Sequence, residues 1–364
     1  MKLKELIAVL EKFAPPVYQE SYDNSGLIVG NDQMEIKGVL ICLDSTEEVL
    51  EEAIRHNCNV IVAHHPIVFS GLKKLNGKNY VERVMIKAIK NDLAIYAAHT
   101  NADNVAHGVN HKICQMLGLV NTKILSPKGD LLSKLATFVP SSHFEKVRDA
   151  LFSAGAGNIG NYDQCSFSSD GTGTFRGNEN SAPFIGKPGE MESAAEHKLE
   201  VIFEKFRRPA ILKALFEAHP YEEVAYDIYP LSNDYQLIGS GMIGELQEPA
   251  DETDFLKSVK TIMNTGLIRH TALLGKKIKK VALCGGSGSF LLNEAIRAGA
   301  DVFISADYKY HQFFDADGRI LIADIGHYES EQYTIQLFYE VISKNCTTFA
   351  VRLTEVNTNP VHYM

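Results

Sequence analysis

The stretch VIVAHHPIVF (60–69) carries a run of β-branched and small apolar residues up to two adjacent histidines and a proline. One histidine at the end of a strand is ordinary, whereas two in a row stopped by Pro66 point to a site. Two other apolar runs close in a related way. IYAAHTNAD (95–103) ends on His99 with Asp103 four residues on, and LIADIGHYESE (321–331) ends on His327 with Glu331 four residues on. Imidazole with carboxylate suits zinc, iron, manganese or similar ions, whereas an all-oxygen set favours magnesium or calcium. A carboxylate can also bridge two ions about 3.5–4 Å apart, the spacing used in two-metal hydrolysis.

Geometry limits how these groups can combine. Consecutive residues of an extended chain point to opposite sides. His64 and His65 therefore serve two neighbouring ions, or one ion if Pro66 bends the chain. His327 and Glu331 share a helix face if a helix begins near Gly326-His327. Other histidines have plainer explanations. His107 and His111 lie downstream of the strand ends and read as helix-surface or packing residues, and His56 falls late in a helix, where a cation meets the dipole favourably. CGGSGS (284–289) reads as a tight strand-to-helix turn; backbone contact to phosphate is the alternative, but the Lys of a P-loop and the full G-x-G-x-x-G spacing are missing. YDNSGLIVGN (22–31) reads as a loop from the turn chemistry of Asp23-Asn24-Ser25-Gly26.

An ungapped internal repeat must position these groups. Residues 37–66 lie over 279–308 at a constant offset of 242, with ten of thirty positions identical. Both copies read strand, turn, helix, strand, and the short uniformly apolar strands suit a parallel sheet covered on both faces. Ser45-x-x-Glu48 has the form of a capping box at the first helix. In this register Asp307 stands opposite His65, and the His99 and His327 endings extend the likeness to a third strand. The expected fold is α/β: two pseudo-symmetric halves of strand-helix-strand units, 1–127 and 233–364, packed together around an inserted α+β domain at 128–232. Ligands in open α/β sheets bind at the carboxyl ends of the strands. Within the insertion, two strand-helix-strand stretches predict a split βαβ module. CSFSSDGTGTFRGNENSAPFIGKPGE reads as hairpin loops or a flap.

Composition narrows the class. The 364 residues are 45% apolar and 22% charged, as in a soluble globular protein. No stretch approaches the roughly 20 apolar residues of a spanning helix. The first residues, MKLKELIAVLEKFAPP, read as an amphipathic helix ended by Pro15-Pro16 rather than a signal peptide. Six cysteines without C-x-x-C spacing suit reduced core thiols and a cytoplasmic location. A net charge of −9 disfavours a nucleic-acid partner, and no membrane partner is expected.

DNSGL, AHHP, HTNAD, CGGSGS, SADYKYH and GHYESE together resemble the GTP cyclohydrolase 1 type 2 homologue family, also called Nif-three-like. The matching motifs span both outer segments. The resemblance implies a duplicated α/β fold with a dinuclear divalent-metal centre, zinc, iron or manganese, between its halves. The implied ligands are His64, His65, Asp103, His327 and Glu331, with a carboxylate bridging and His99 nearby. AHPYEEVAYDIYPL (218–231) looks like part of the PII- or CutA-like module of longer bacterial members, which form ring-shaped homohexamers. The implied activity is metal-dependent hydrolysis of a small molecule, a nucleotide or related compound. GTP ring opening is the named candidate, and His99 or Asp307 the candidate acid or base. The alternative of another class is a metal-sensing regulator or scaffold whose insertion binds an effector without turnover.

Overall fold

Short apolar strands with no polar face must be covered on both sides, and the repeat builds them that way. In the computed structural model, which describes residues 1–364, Gly38–Cys42, Val60–Ala63 and Ala94–Ala97 are buried along their whole length. They pair in parallel, Ala350–Leu353 joins beyond Gly38–Cys42, and Gly26–Val29 pairs antiparallel with Ala94–Ala97 at the opposite edge. Glu47–Arg55 packs Val49, Leu50 and Ala53 against this sheet beside Leu40 and Ile61. A buried Leu of this kind stabilises the fold by roughly 1.5–3 kcal/mol.

The second sheet repeats the core of the first. Lys277–Ser287, Val302–Ala306 and Leu321–Asp324 pair in parallel, with Tyr235–Asp251 and Val120–Lys128 beyond one side and Arg269–His270 at the other edge. The repeat register is kept in space: Val39 pairs with Val60, and Val281, its equivalent, pairs with Val302.

Four expectations need adjustment, the first being that 22–31 is a loop: Gly26–Val29 is an edge strand. Val60 faces Ala94 and Val302 faces Leu321, so by strand pairing His99 corresponds to Gly326, and His327 lies one residue further along. His99 accordingly sits just before the helix Thr100–Asn104, whereas His327 is the first residue of the helix His327–Glu331. The capping box does not form at Ser45: Ser45 is buried beside the Cys42 thiol, and Thr46 caps the helix by accepting from the Val49 N–H. Part of the segment expected as loops, Ser166–Phe175, is a ten-residue strand paired with Glu192–Glu204. Its residues, mostly Ser, Thr and Gly, carry no apolar alternation, so the backbone ladder defines it.

The chain divides into two compact units, 1–127 with 237–364, and 128–236. The latter is a four-stranded antiparallel sheet in the order Ser166–Phe175, Glu192–Glu204, Leu132–Pro140, Tyr226–Leu231. The helices Phe144–Ser153 and Arg208–Ala218 share its core through Val147, Leu151, Ile211 and Leu215. At the start of the chain the helix Leu3–Phe13 buries Leu3, Leu6 and Leu10 and stops ahead of Pro15. No helix is long and apolar enough to cross a membrane.

Candidate metal centre

The carboxyl ends of the parallel strands bring the chemistry together. His64 and His65 continue the strand by donating their N–H groups to Cys42 O and Leu43 O, and their rings lie 4.9 Å apart. Glu331, buried at 3% side-chain exposure, sits between them and the other half. His65 Nε2 and His327 Nε2 lie 3.0 and 3.1 Å from Glu331 Oε2. His64 Nε2 lies 3.8 Å from Glu331 Oε1 and 3.7 Å from Asp103 Oδ1. The residues therefore form two triads sharing Glu331, one with His64 and Asp103, the other with His65 and His327. His99 belongs to a third group with His64 and His65.

Each imidazole is oriented through its other nitrogen. Nδ1–H donates from His64 to Ala98 O at 2.9 Å and from His65 to Asp44 at 2.7 Å. It donates from His99 to Asp23 at 2.8 Å and from His327 to Asp307 at 2.7 Å. Such partners fix the tautomer and raise the basicity of a ligating histidine. Asp307, expected from the repeat register, is thus a positioning partner of His327, held in the left-handed region at φ 59°. Asp23 and Asp44 went unassigned in the sequence. Asp23 lay in a motif read as a loop, and Asp44 follows the Gly38–Cys42 strand at the end where sites form, which was the available signal.

The CGGSGS motif makes room rather than binding phosphate. A Cβ on Gly286 would run into the Glu331 carboxylate, and the residue adopts φ +61°. The N–H groups of Gly285, Gly286 and Gly288 are already given to Asn110, Ser330 and Ser305. His107 packs on Phe13 and bonds its carbonyl, and His111 contacts Gln115. Both lie apart from the cluster.

Electrostatics follow from burial and pairing. Burial and the nearby Glu331 push the Asp103 carboxyl up to about 7. Burial opposes charge on His65, but Asp44 and Glu331 outweigh it and hold the imidazole at about 10. His327 is raised likewise, to about 11, by Glu331 and Asp307 against burial. Burial acts against the Glu331 charge too, but the surrounding imidazoles keep its carboxyl well below the usual range. The buried carboxylate is thus faced by the imidazoles of His65 and His327, each of which has a second carboxylate, Asp44 or Asp307, on its other side.

Two atoms are left over. His64 Nε2 and Asp103 Oδ1 are buried with no hydrogen-bond partner, an arrangement that costs about 1–3 kcal/mol per group unless something occupies the gap. Ligand atoms about 2.0–2.2 Å from a tetrahedral ion sit roughly 3.4 Å from one another, and the His65, His327 and His64 nitrogens lie 3.0, 3.1 and 3.8 Å from a Glu331 oxygen. The donor set and the orphaned atoms fit a divalent metal. Two cavities open beside the cluster. One of about 190 Å³ is lined by Tyr22, His99, Asp103, Phe290 and Glu331, the other of about 460 Å³ by Asp44, His65, Asp307, His327 and Tyr363.

Comparison with known proteins identifies the family. The family model Duf34/NIF3 (NGG1p interacting factor 3) matches residues 1–360. A GTP cyclohydrolase 1 type 2 homolog of Halalkalibacterium halodurans is 42% identical over 325 residues, 88% of this chain and 87% of that protein. Its counterpart in Bacillus subtilis is 37% identical over 371 residues, 99% of this chain and 98% of that protein. The crystal structure of a Bacillus cereus protein related to NIF3 superposes with a TM-score of 0.88 at 38% identity, covering 100% of this chain and 99% of that one.

Proposed function

The chain belongs to the Duf34/NIF3 (NGG1p interacting factor 3) family, and we propose that it is a dinuclear metal-dependent hydrolase of a nucleotide or related compound. The observation that carries this reading is the buried pair of unpartnered atoms, His64 Nε2 and Asp103 Oδ1, beside the shared carboxylate of Glu331. His64, Asp103 and Glu331 would hold one ion, His65, His327 and Glu331 the other. Two bound divalent ions, zinc, iron or manganese, supply Lewis acidity and a lowered pKa for water.

The chain's own residues do the rest. Glu331 offers one oxygen to each triad, and Asp44 and Asp307 hold His65 and His327 in register. His99, fixed by Asp23 and needed by neither triad, is the group best placed to move a proton at the cavity mouth. Tyr22 and Phe290, 64% and 65% exposed on that cavity, offer rings on which a planar base can stack. The names of the relatives support GTP as the first substrate to test.

The same reading includes a PII- or CutA-type module at 128–232, a ring-shaped homohexamer and a cytoplasmic location. The module is supported by its split strand-helix order, the location by six free cysteines. The test is elemental analysis of protein made without added metal, then GTP turnover before and after chelation. Turnover lost with the metal and restored by it is the expected result. Turnover that survives chelation, or none in fully loaded protein, overturns the hydrolase reading.

A further inference from the structure

A cavity of about 740 Å³ lies wholly within the 128–236 unit, and the proposed hydrolase does not use it. Its walls are aromatic. Phe175 and Phe184 flank Tyr221, with centroids 6.0 and 6.2 Å from it, and Phe138 adds a fourth ring. A carboxylate is set into the same wall: Glu196 is only 8% exposed, and the Tyr221 hydroxyl donates to its Oε1 at 2.8 Å. Gly173 gives that carboxylate its space, since a Cβ there would fall on it.

We propose that this cavity binds a small organic cation, an alkylammonium group on a compact apolar body. The Tyr221 hydroxyl leaves most of the charge of this carboxylate unanswered. A quaternary ammonium in the cavity supplies the opposing charge while its methyl surface lies on the rings, where the electron-rich faces attract a cation. The charges around the cavity favour the same sign. Asp170 is paired with His197 at 2.7 Å and Lys198 with Glu200 at 2.6 Å, which leaves Glu196, Glu222 and Glu223 against Arg176. An anion would be repelled by Glu196. A neutral apolar ligand would bury that carboxylate without adding a partner, which is unfavourable.

Choline and its neutral isostere 3,3-dimethylbutan-1-ol, titrated calorimetrically into the full chain, separate charge from shape. Choline should bind at least about tenfold more tightly than the isostere. Glu196→Gln, which preserves volume and the Tyr221 contact, should weaken choline about tenfold and leave the isostere unchanged. Phe184→Ala, at a half-exposed position outside the core, should weaken choline with the fold intact by circular dichroism. Equal affinity for the two probes, no choline binding, or choline binding unaffected by Glu196→Gln in folded protein overturns the proposal. None of these outcomes depends on metal content or GTP turnover.

Discussion

Two histidine environments in this molecule differ in one respect that decides what each can do. In the candidate metal centre, His64, His65, His99 and His327 each commit Nδ1 to a carbonyl or carboxylate. The second nitrogens of His64, His65 and His327 converge on Glu331. In the 128–236 unit, His219 spends both nitrogens within the protein: Nε2–H donates to Phe138 O at 3.0 Å, and Nδ1 accepts from the Tyr221 N–H at 3.1 Å. His64 is 0% exposed and His219 is 7% exposed, so burial does not separate them. The second nitrogen does: His64 keeps Nε2 without a hydrogen-bond partner beside the Glu331 and Asp103 carboxylates, whereas both nitrogens of His219 are spent on the backbone.

The strongest way to break this contrast is to remove the group on which the second nitrogens converge. Glu331→Gln takes the negative charge from both triads at once. Protein carrying it should retain almost no metal by elemental analysis, against about two ions per chain in the parent. Retention of both ions would show that the shared carboxylate does not join the triads. Gly286→Ala should come next, because it forces a Cβ toward Glu331 from a left-handed position. Such a conformation costs about 1–3 kcal/mol in a non-glycine residue. A lowered melting temperature even after chelation, together with partial metal loss, is the expected pattern. An unchanged metal content would mean that the Glu331 side chain can yield.

The sequence made the scaffold of this site more legible than its supports. The 242-residue offset marks both strand pairs because uniformly apolar runs survive duplication. It also puts His65 opposite Asp307, and Asp44 opposite Gly286. The halves thus use equivalent positions asymmetrically: one supplies an imidazole or its carboxylate partner where the other supplies a carboxylate or open space. The third-strand likeness is offset by one because one more residue separates Leu321–Asp324 from His327 than separates Ala94–Ala97 from His99. Asp44 and Asp23 were missed for a different reason. Each is a lone carboxylate whose partner lies 21 or 76 residues away, and a through-space hydrogen bond leaves no periodicity. Ser166–Phe175 escaped because an exposed strand of Ser, Thr and Gly has no apolar face to read.

Those supports give the third test. Asp44→Asn and Asp307→Asn should each weaken metal binding about tenfold, the lower end expected for partners of ligating histidines, since Asn still accepts from Nδ1–H. Asp44, which also accepts from Thr358, should have the larger effect. Competition with a chromophoric chelator measures both, and equal affinity in all three proteins would show that the Nδ1 partners do not tune the site.

The smallest effect concerns the histidine with no free nitrogen. Burial holds His219 below its ordinary value, so the folded chain keeps it neutral where the unfolded chain takes a proton. The stability this lends is complete above a pH of about 6.5. It is lost as pH falls through the lower folded value, because protonating Nδ1 replaces an acceptor with a donor facing the Tyr221 N–H. Between these values the unfolded state binds more protons, so stability must rise with pH. In a nuclear magnetic resonance titration, the His219 ring should report a midpoint below 6.5, with the Tyr221 amide shifting in step. A midpoint above that value, or a Tyr221 amide that stays still while the ring titrates, would mean that His219 keeps a nitrogen in reserve, and the contrast with the metal centre would fail.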